Sequence, residues 1–450
     1  MNSQTKCNNK EVRIANKKCM ISYDMEEQSS DGGLILISRI DEKLGITKRL
    51  AELVEDKRDK RYIKHDQRTL FLQRIYGIIQ GYEDCNDHEE LRKDPLFRLV
   101  SGHEGDQPLA SQSTLCRFEN GIYNEEKSAR IYELEEYLMD RYVSSLTRKN
   151  RLSITLDMDT TDARTYGNQQ LTFFHGYYDH YIYYPLFVYD YPSGRLAGAM
   201  LRPGNAGGYE DGPELIERLI RKIKTRLPRC RIKVRGDSAF GVPAMMDKLE
   251  ALDRTVGNIW YELGLKGNKN LERLSCDHLT RAIALWSDKK DNTGTFQRYH
   301  SGKYRAASWQ KERRVVFKTE VNDIGYQVRY VVVNYRKGPK ETYQSYCQRG
   351  QMENWIGDFK NSIHGDRMSC SDWFANQFRF LLYCFAYVLL HELRISLFGT
   401  KYHVMRLWNM CLKLLKVAVS IKRTARGIRL RISRSFPYQA VWDSLLDQLA

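Results

Sequence analysis

Between Leu152 and Tyr261 the chain switches repeatedly between two residue periods, and this restricts the folds open to it. Leu152–Asp157 alternates apolar and polar residues, as a strand with two unlike faces does, and Leu171–Gly176 and Tyr184–Tyr189 are rich in aromatic and β-branched residues. Gly212–Leu227 then repeats its apolar residues at helical spacing until Pro228 stops it. Arg231–Arg235 returns to strand, Ala244–Leu252 to helix and Thr255–Tyr261 to strand. Three strands followed by helix–strand alternation describe a mixed α/β sheet whose second half is parallel.

The flanking regions have different characters. Residues 1–30 are polar without periodicity and are expected to form a loose leader. Residues 31–150 read as helical. Leu44, Ile46, Leu50 and Leu53 precede a basic segment, Lys57–Lys64, and Arg68–Tyr82 carries an apolar stripe through Leu70, Leu72, Ile75, Ile78 and Ile79. Ser111–Phe118 opens with good N-cap residues and suits either a helix-turn-helix reading element or an ordinary linker helix. Residues 265–335 interrupt the core with β-type segments, Val315–Glu320 and Tyr326–Val333, and read as a β-rich insertion. Helix resumes near Glu341, and Phe378–Leu393 forms another. The most apolar run, Phe380–Leu390, is too short to cross a bilayer and reads as a buried helix. No CxxC pair occurs among the ten cysteines, which argues against a zinc site and for reduced thiols in a cytoplasmic protein.

Charge points to a polyanionic partner. The net formal charge is +16 despite 56 acidic residues, which favours nucleic acid. In the C-terminal region, 396–450, no acidic residue precedes Asp443, and Lys413–Arg434 holds eight basic residues. Ile428-Arg429-Leu430-Arg431-Ile432 there alternates as a strand with one cationic face, suited to DNA or to a solvated surface.

Two aspartates stand where a sheet-borne site gathers its ligands, beyond the carboxyl ends of strands. Asp159 closes the first strand, in Leu156-Asp157-Met158-Asp159-Thr160-Thr161-Asp162, and Asp237 ends the fourth, in Val234-Arg235-Gly236-Asp237-Ser238. Acidic residues also cap helices and form turns at such places, so the pair alone is weak. The helix around Glu353 adds to it. Arg349, Glu353 and Lys360 follow Tyr346 at offsets of 3, 7 and 14, within an arc of roughly 60° on a continuous α-helix. Met352, Ile356, Phe359 and Ile363 form a second stripe to bury against the sheet. Gly350 and Gly357 lie near the first face, either merely tolerated or allowing a DNA backbone to approach.

Tyr346-x2-Arg349-x3-Glu353-x6-Lys360 resembles the YREK signature of bacterial insertion-sequence transposases, DDE enzymes with a ribonuclease-H-like catalytic core. Asp159-Thr160-Thr161 and Arg235-Gly236-Asp237-Ser238 look like the family's first and second motifs. Gly176-Tyr177-Tyr178-Asp179-His180, Leu201-Arg202-Pro203-Gly204-Asn205 and the Ser111–Asn120 stretch resemble the IS thirteen-eighty group in particular. The likeness runs from about Gly33 to Pro437.

The resemblance implies an α/β fold with a core at 151–264 and 336–395, the insertion at 265–335 and a helical N-terminal DNA-binding region at 31–150. It implies that Asp159, Asp237 and Glu353 hold two Mg²⁺ ions, with Mn²⁺ able to substitute, for water to nick the transposon end and for the freed 3′-OH to attack target DNA. Tyr346, Arg349 and Lys360 would bind phosphates, and Trp286 and Trp309 are candidates for base stacking or for the core. His175 and His180 are read as structural or DNA-contacting. The partners implied are double-stranded DNA, at transposon ends and target, and a second copy in a synaptic homodimer, with no membrane. The setting implied is the bacterial cytoplasm at the nucleoid. Asp157 shares its strand face with Asp159 and stays open as an alternative ligand. A metal-dependent nuclease without strand transfer, and a non-catalytic DNA-binding regulator on the same fold, are the competing functions.

Overall fold

The computed structural model describes residues 10–103, 107–121, 127–147, 152–288 and 294–449. The chain divides into two compact units, Glu119–His391 and a second made of Met1–Phe118 with Glu392–Ala450.

An eight-stranded sheet organises the larger unit. Its strands are β1 (Ser153–Thr160), β2 (Leu186–Tyr191), β3 (Arg195–Met200), β4 (Arg231–Gly236), β5 (Ile259–Leu265), β6 (Phe296–Tyr304), β7 (Arg313–Asn322) and β8 (Gly325–Val333). Across the sheet the order is β6-β7-β8-β5-β4-β1-β2-β3. β1, β4 and β5 run parallel, and the remaining neighbours are antiparallel. The expected parallel half is therefore present, but one expected strand belongs elsewhere. Within Leu171–Gly176 only Phe173–His175 is strand, and it pairs with His180–Tyr183 in a small separate sheet. The third strand of the main sheet is β3, whose Ala197, Gly198 and Ala199 have low strand propensity. Their small size suits the packing of helix α1 (Lys127–Ser145) over β3.

Helices cover both faces. On α2 (Gly212–Arg226), Leu215, Ile216, Leu219, Ile220 and Ile223 recur at helical spacing and are fully buried. They share one core with Leu156, Ile232 and Val234 of the sheet and with Met245 and Leu249 of α3 (Pro243–Val256). Residues 265–335 differ from the β-only expectation, because they begin with a 19-residue helix, α4 (Lys269–Ser287). Their three strands lengthen the main sheet, β8 pairing with β5.

The opposite face of β2 carries the element of most consequence. There α5 (Pro339–Cys347) and α6 (Gln351–Ile363) are joined by a single 3₁₀ turn, Gln348–Gly350. Met352, Ile356, Phe359 and Ile363 of α6 are buried as the periodicity requires, joined by Trp355. Phe359 meets Phe187 edge-on at 5.0 Å, and Trp355 lies 5.6 Å from Tyr189, which seats α6 on β2. Helix α7 (Trp373–Ser396) contains the apolar run, and its Tyr387 reaches Phe359 at 6.1 Å. No described helix is long and apolar enough to cross a membrane.

In the smaller unit the two ends of the chain combine. Gln28–Ser29 pairs with Val419–Thr424, which pairs in turn with Gly427–Ile432. Of the leader expected to be loose, residues 1–9 lie outside the described residues, while Lys10–Ile14 and Lys17–Ile21 form an antiparallel hairpin. The helix read as striped, observed at Gln67–Ile79, is instead buried on all sides from Thr69 onward. Its polar members are admitted because they are partnered. Gln73 exchanges hydrogen bonds with the Ala110 backbone (2.9 and 3.0 Å), and Arg74 binds His88 at 3.0 Å.

Candidate active site

The sheet register brings the two aspartates side by side. On the parallel neighbours β1 and β4, Met158 pairs with Gly236, so Asp159 and Asp237 each follow one residue beyond a matched pair. They are electrostatically close. Burial pushes the Asp159 carboxyl up to about 6, the Arg349 guanidinium opposes that rise, and the charge of Asp237 adds to it. Asp237 accepts the Ala239 backbone N–H at 2.9 Å, which folds the turn after β4 around its carboxylate.

Two cations of the α5–α6 segment lie against these strand ends. Arg349 Nη1 donates to Asp159 at 2.9 Å, and Lys360 Nζ donates to Asp162 at 2.8 Å. Lys360 also stands 3.9 Å from Asp366. His180 meets Asp162 at 3.2 Å. Burial raises the Asp162 carboxyl, but Lys360 and His180 outweigh it and hold the group below the usual carboxylate range.

The four signature residues do not share one unbroken helix. Tyr346 ends α5, Arg349 lies in the 3₁₀ turn, and Glu353 and Lys360 belong to α6. A 3₁₀ turn advances about 120° per residue rather than about 100°, so it shifts the face expected of a continuous α-helix. Tyr346 still lies near Arg349, whose positive charge opposes the rise that burial imposes on the Tyr346 hydroxyl. Tyr346, Arg349 and Asp237 line one cavity of about 560 Å³ with Gly264 of β5. A Cβ on Gly264 would stand 2.6 Å from the Tyr346 hydroxyl and 2.9 Å from Ser238 N, so glycine is what lets the tyrosine approach. Seven residues separate Glu353 from Lys360 within α6, close to two full turns, which puts both on one side of that helix.

Asp157 is engaged elsewhere. It is fully buried, and both its oxygens are held by Arg235, at 2.6 and 2.8 Å. Arg235 also donates to the Ser345 carbonyl and so ties β1 and β4 to α5. Asp157 and Asp159 do lie on one face of the strand, but their surroundings differ.

The donors suit a hard divalent cation, since they offer only carboxylate oxygens and the nearness of Asp237 already disfavours the charge on Asp159. The third carboxylate is not drawn onto the first two. Glu353 is exposed and makes no hydrogen bond or ion pair among the described residues. No three His, Cys, Asp or Glu side chains are grouped as metal ligands among the described residues.

The model of the family described as "Transposase DDE domain group 1" matches residues 12–450. The chain belongs to this DDE transposase family. No curated protein matches it. Among solved structures, the chain is similar to a piggyBac transposase synaptic complex with hairpin DNA, at 10% identity and a TM-score of 0.41, covering 90% of this chain and 82% of that one.

The two tryptophans considered for base stacking occupy different settings. Trp309 is only 4% exposed, with Tyr304 edge-on at 5.2 Å and Arg313 at 5.3 Å from its ring, so both surroundings and burial make it a core residue with no face open to a base. Trp286 is half-buried on α4, its indole N–H donating to the Gly294 carbonyl at 3.3 Å. Reading the sequence by element missed Arg235, although its place opposite Asp157 on a parallel neighbour follows once the register is known.

Proposed function

We propose that this DDE-family chain is a cut-and-paste-type transposase that binds the inverted-repeat ends of its insertion sequence, cleaves them by metal-dependent hydrolysis and joins the 3′-OH ends to target DNA. The observation that carries the reading is the meeting of Asp159 and Asp237 at adjacent parallel strand ends with Arg349 against them. The order β3-β2-β1-β4-β5 within the sheet supports a ribonuclease-H-like core. The engagement of Asp157 by Arg235 favours Asp159 as the first ligand.

In this reading Asp159, Asp237 and Glu353 would hold two Mg²⁺ ions, or Mn²⁺ in their place. The chemistry supplied by such ions is stabilisation of the attacking and leaving oxygens of an in-line displacement at phosphorus. Glu353, exposed on α6 and apart from the two aspartates here, would be the third ligand. Arg349 grips a phosphate beside the carboxylates through paired N–H groups, with Tyr346 supporting its guanidinium, and Lys360 takes a neighbouring phosphate. The residue pattern supports a reading in the YREK branch of bacterial insertion sequences, near the IS thirteen-eighty group, with action at the nucleoid in the cytoplasm as part of the same proposal. DNA ends are gripped by 31–150 and the basic 396–450 region, and two copies pair in the synaptic complex.

Pre-cleaved ends, taken from the terminal inverted repeats flanking the gene, test the reading when mixed with a plasmid target and Mg²⁺. Joined products are expected. Hydrolysis without joining would leave a nuclease, and loss of metal dependence would remove the carboxylate assignment.

A further inference from the structure

Beyond Lys360, two loops of the larger unit enclose a cavity of about 560 Å³ whose walls include Arg164, Tyr166, Gln169, Asp366 and Arg367. The loops are fastened to each other by three hydrogen bonds. Gln169 Nε2 donates to the Met368 carbonyl at 2.8 Å, Gln170 N to the Ser371 carbonyl at 3.0 Å, and Trp373 N to Gln170 Oε1 at 3.0 Å. The cavity is thus preformed, as ligand sites usually are.

Its chemistry selects a ligand. Tyr166 is 70% exposed, with the Arg164 guanidinium 5.2 Å from its ring centre. Phe173, Phe174, Tyr177 and Tyr181 are exposed too, so five aromatic rings open to solvent within one short stretch, and such concentrations mark binding surfaces. A flat exposed ring and flanking cations together fit a nucleobase and its phosphates.

The cavity adjoins the signature residues. Asp366 of its wall is 3.9 Å from Lys360, which holds Asp162 at 2.8 Å.

Resting on the transposase reading, we infer that the cavity holds one unpaired nucleobase of the bound DNA, stacked on Tyr166, with Arg164 and Arg367 against the adjoining phosphates. Every base has a flat face, and in a duplex both faces are already stacked on neighbours. The site therefore recognises unpaired bases and not a particular sequence. It belongs to the strand ends exposed by cleavage.

The full-length protein can be tested with two probes, a blunt duplex of about 20 base pairs and the same duplex with an overhang of about four nucleotides containing 2-aminopurine. Wild type should bind the overhang probe roughly tenfold more tightly and quench the 2-aminopurine emission, the size expected of one base–aromatic stack. Tyr166→Ala should lose both effects without changing blunt-end affinity, Tyr166→Phe should keep both, and Asp159→Asn should keep both while failing to cleave. Equal binding of the two probes by a wild type that still cleaves DNA would overturn this inference alone. Failure to bind either probe would overturn it together with the transposase reading. A Tyr166→Ala effect on oligomeric state, with the overhang preference intact, would assign the rings to a protein interface and likewise overturn it.

Discussion

Asp157 and Asp159 stand two residues apart on one strand face, yet Asn at each should have opposite consequences. Both oxygens of Asp157 are held by Arg235 at 2.6 and 2.8 Å, with the two side chains 0% and 1% exposed. Asp157→Asn leaves a guanidinium buried without its counter-charge, a change that costs about 3–5 kcal/mol. That is a large part of a total stability of about 5–15 kcal/mol. It also loosens α5, because the same Arg235 is bonded to the Ser345 carbonyl. Asp159→Asn should be neutral or stabilising in metal-free buffer, since burial and the charge of Asp237 already disfavour its ionised form, while abolishing metal-dependent cleavage. Urea unfolding followed by tryptophan fluorescence measures the first effect, and cleavage of inverted-repeat DNA the second. The double variant Asp157→Leu with Arg235→Met should recover much of the lost stability, because no charge is then left unpaired. If Asp157→Asn unfolded at the wild-type urea concentration but lost metal-dependent cleavage, the division of roles between the two aspartates would be refuted.

Glu353→Gln should lower cleavage by at least about a thousandfold, near 4 kcal/mol of barrier, while binding of end DNA changes little; unchanged cleavage in a gel assay would remove Glu353 from the site. Gly264→Ala should reduce cleavage more than it reduces thermal stability, because the added methyl displaces the Tyr346 hydroxyl and the turn holding Asp237. Glu135, pushed up to about 7 by burial against the pull of Arg218, supplies a pH test. Its folded-state pKa is raised, so its stabilising contribution is complete below the ordinary carboxylate range and lost as pH rises through about 7. Glu135→Gln should therefore raise the melting temperature at pH 8 and leave it nearly unchanged at pH 4, and equal shifts at both would contradict the assignment. Replacing Arg429 and Arg431, exposed on the Gly427–Ile432 strand, by Ala should reduce the slope of log affinity against log salt by up to about 2, at about 0.9 per phosphate contact.

Some of this protein is written locally. The α2 stripe, the strands β1 and β4, and the buried face of α6 depend on periods that any short window displays, and they formed where the periods fell, whereas the strand expected at Thr255–Tyr261 formed at Ile259–Leu265 because the preceding helix runs on to Val256. The positions of Asp159 and Asp237 at strand ends were legible for the same reason. What stayed hidden depends on partners distant in sequence. Ala197-Gly198-Ala199 becomes a strand because β2 supplies hydrogen bonds and α1 needs small residues, outweighing weak propensity. The 3₁₀ turn at Gln348–Gly350 divides an apparently continuous helix, and no side-chain period announces it. Asp157 and Asp159 are equivalent by alternation, and only the register against β4, which puts Arg235 opposite one of them, makes them different. The pairing of Gln28–Ser29 with Val419–Thr424, and the closing of residues 164–169 against 364–369, likewise join segments remote along the chain. A sequence fixes its own periods and the chemistry it carries, whereas which charges are neutralised, which acceptors stay unmet and which rings remain open are properties of neighbours that only folding brings together.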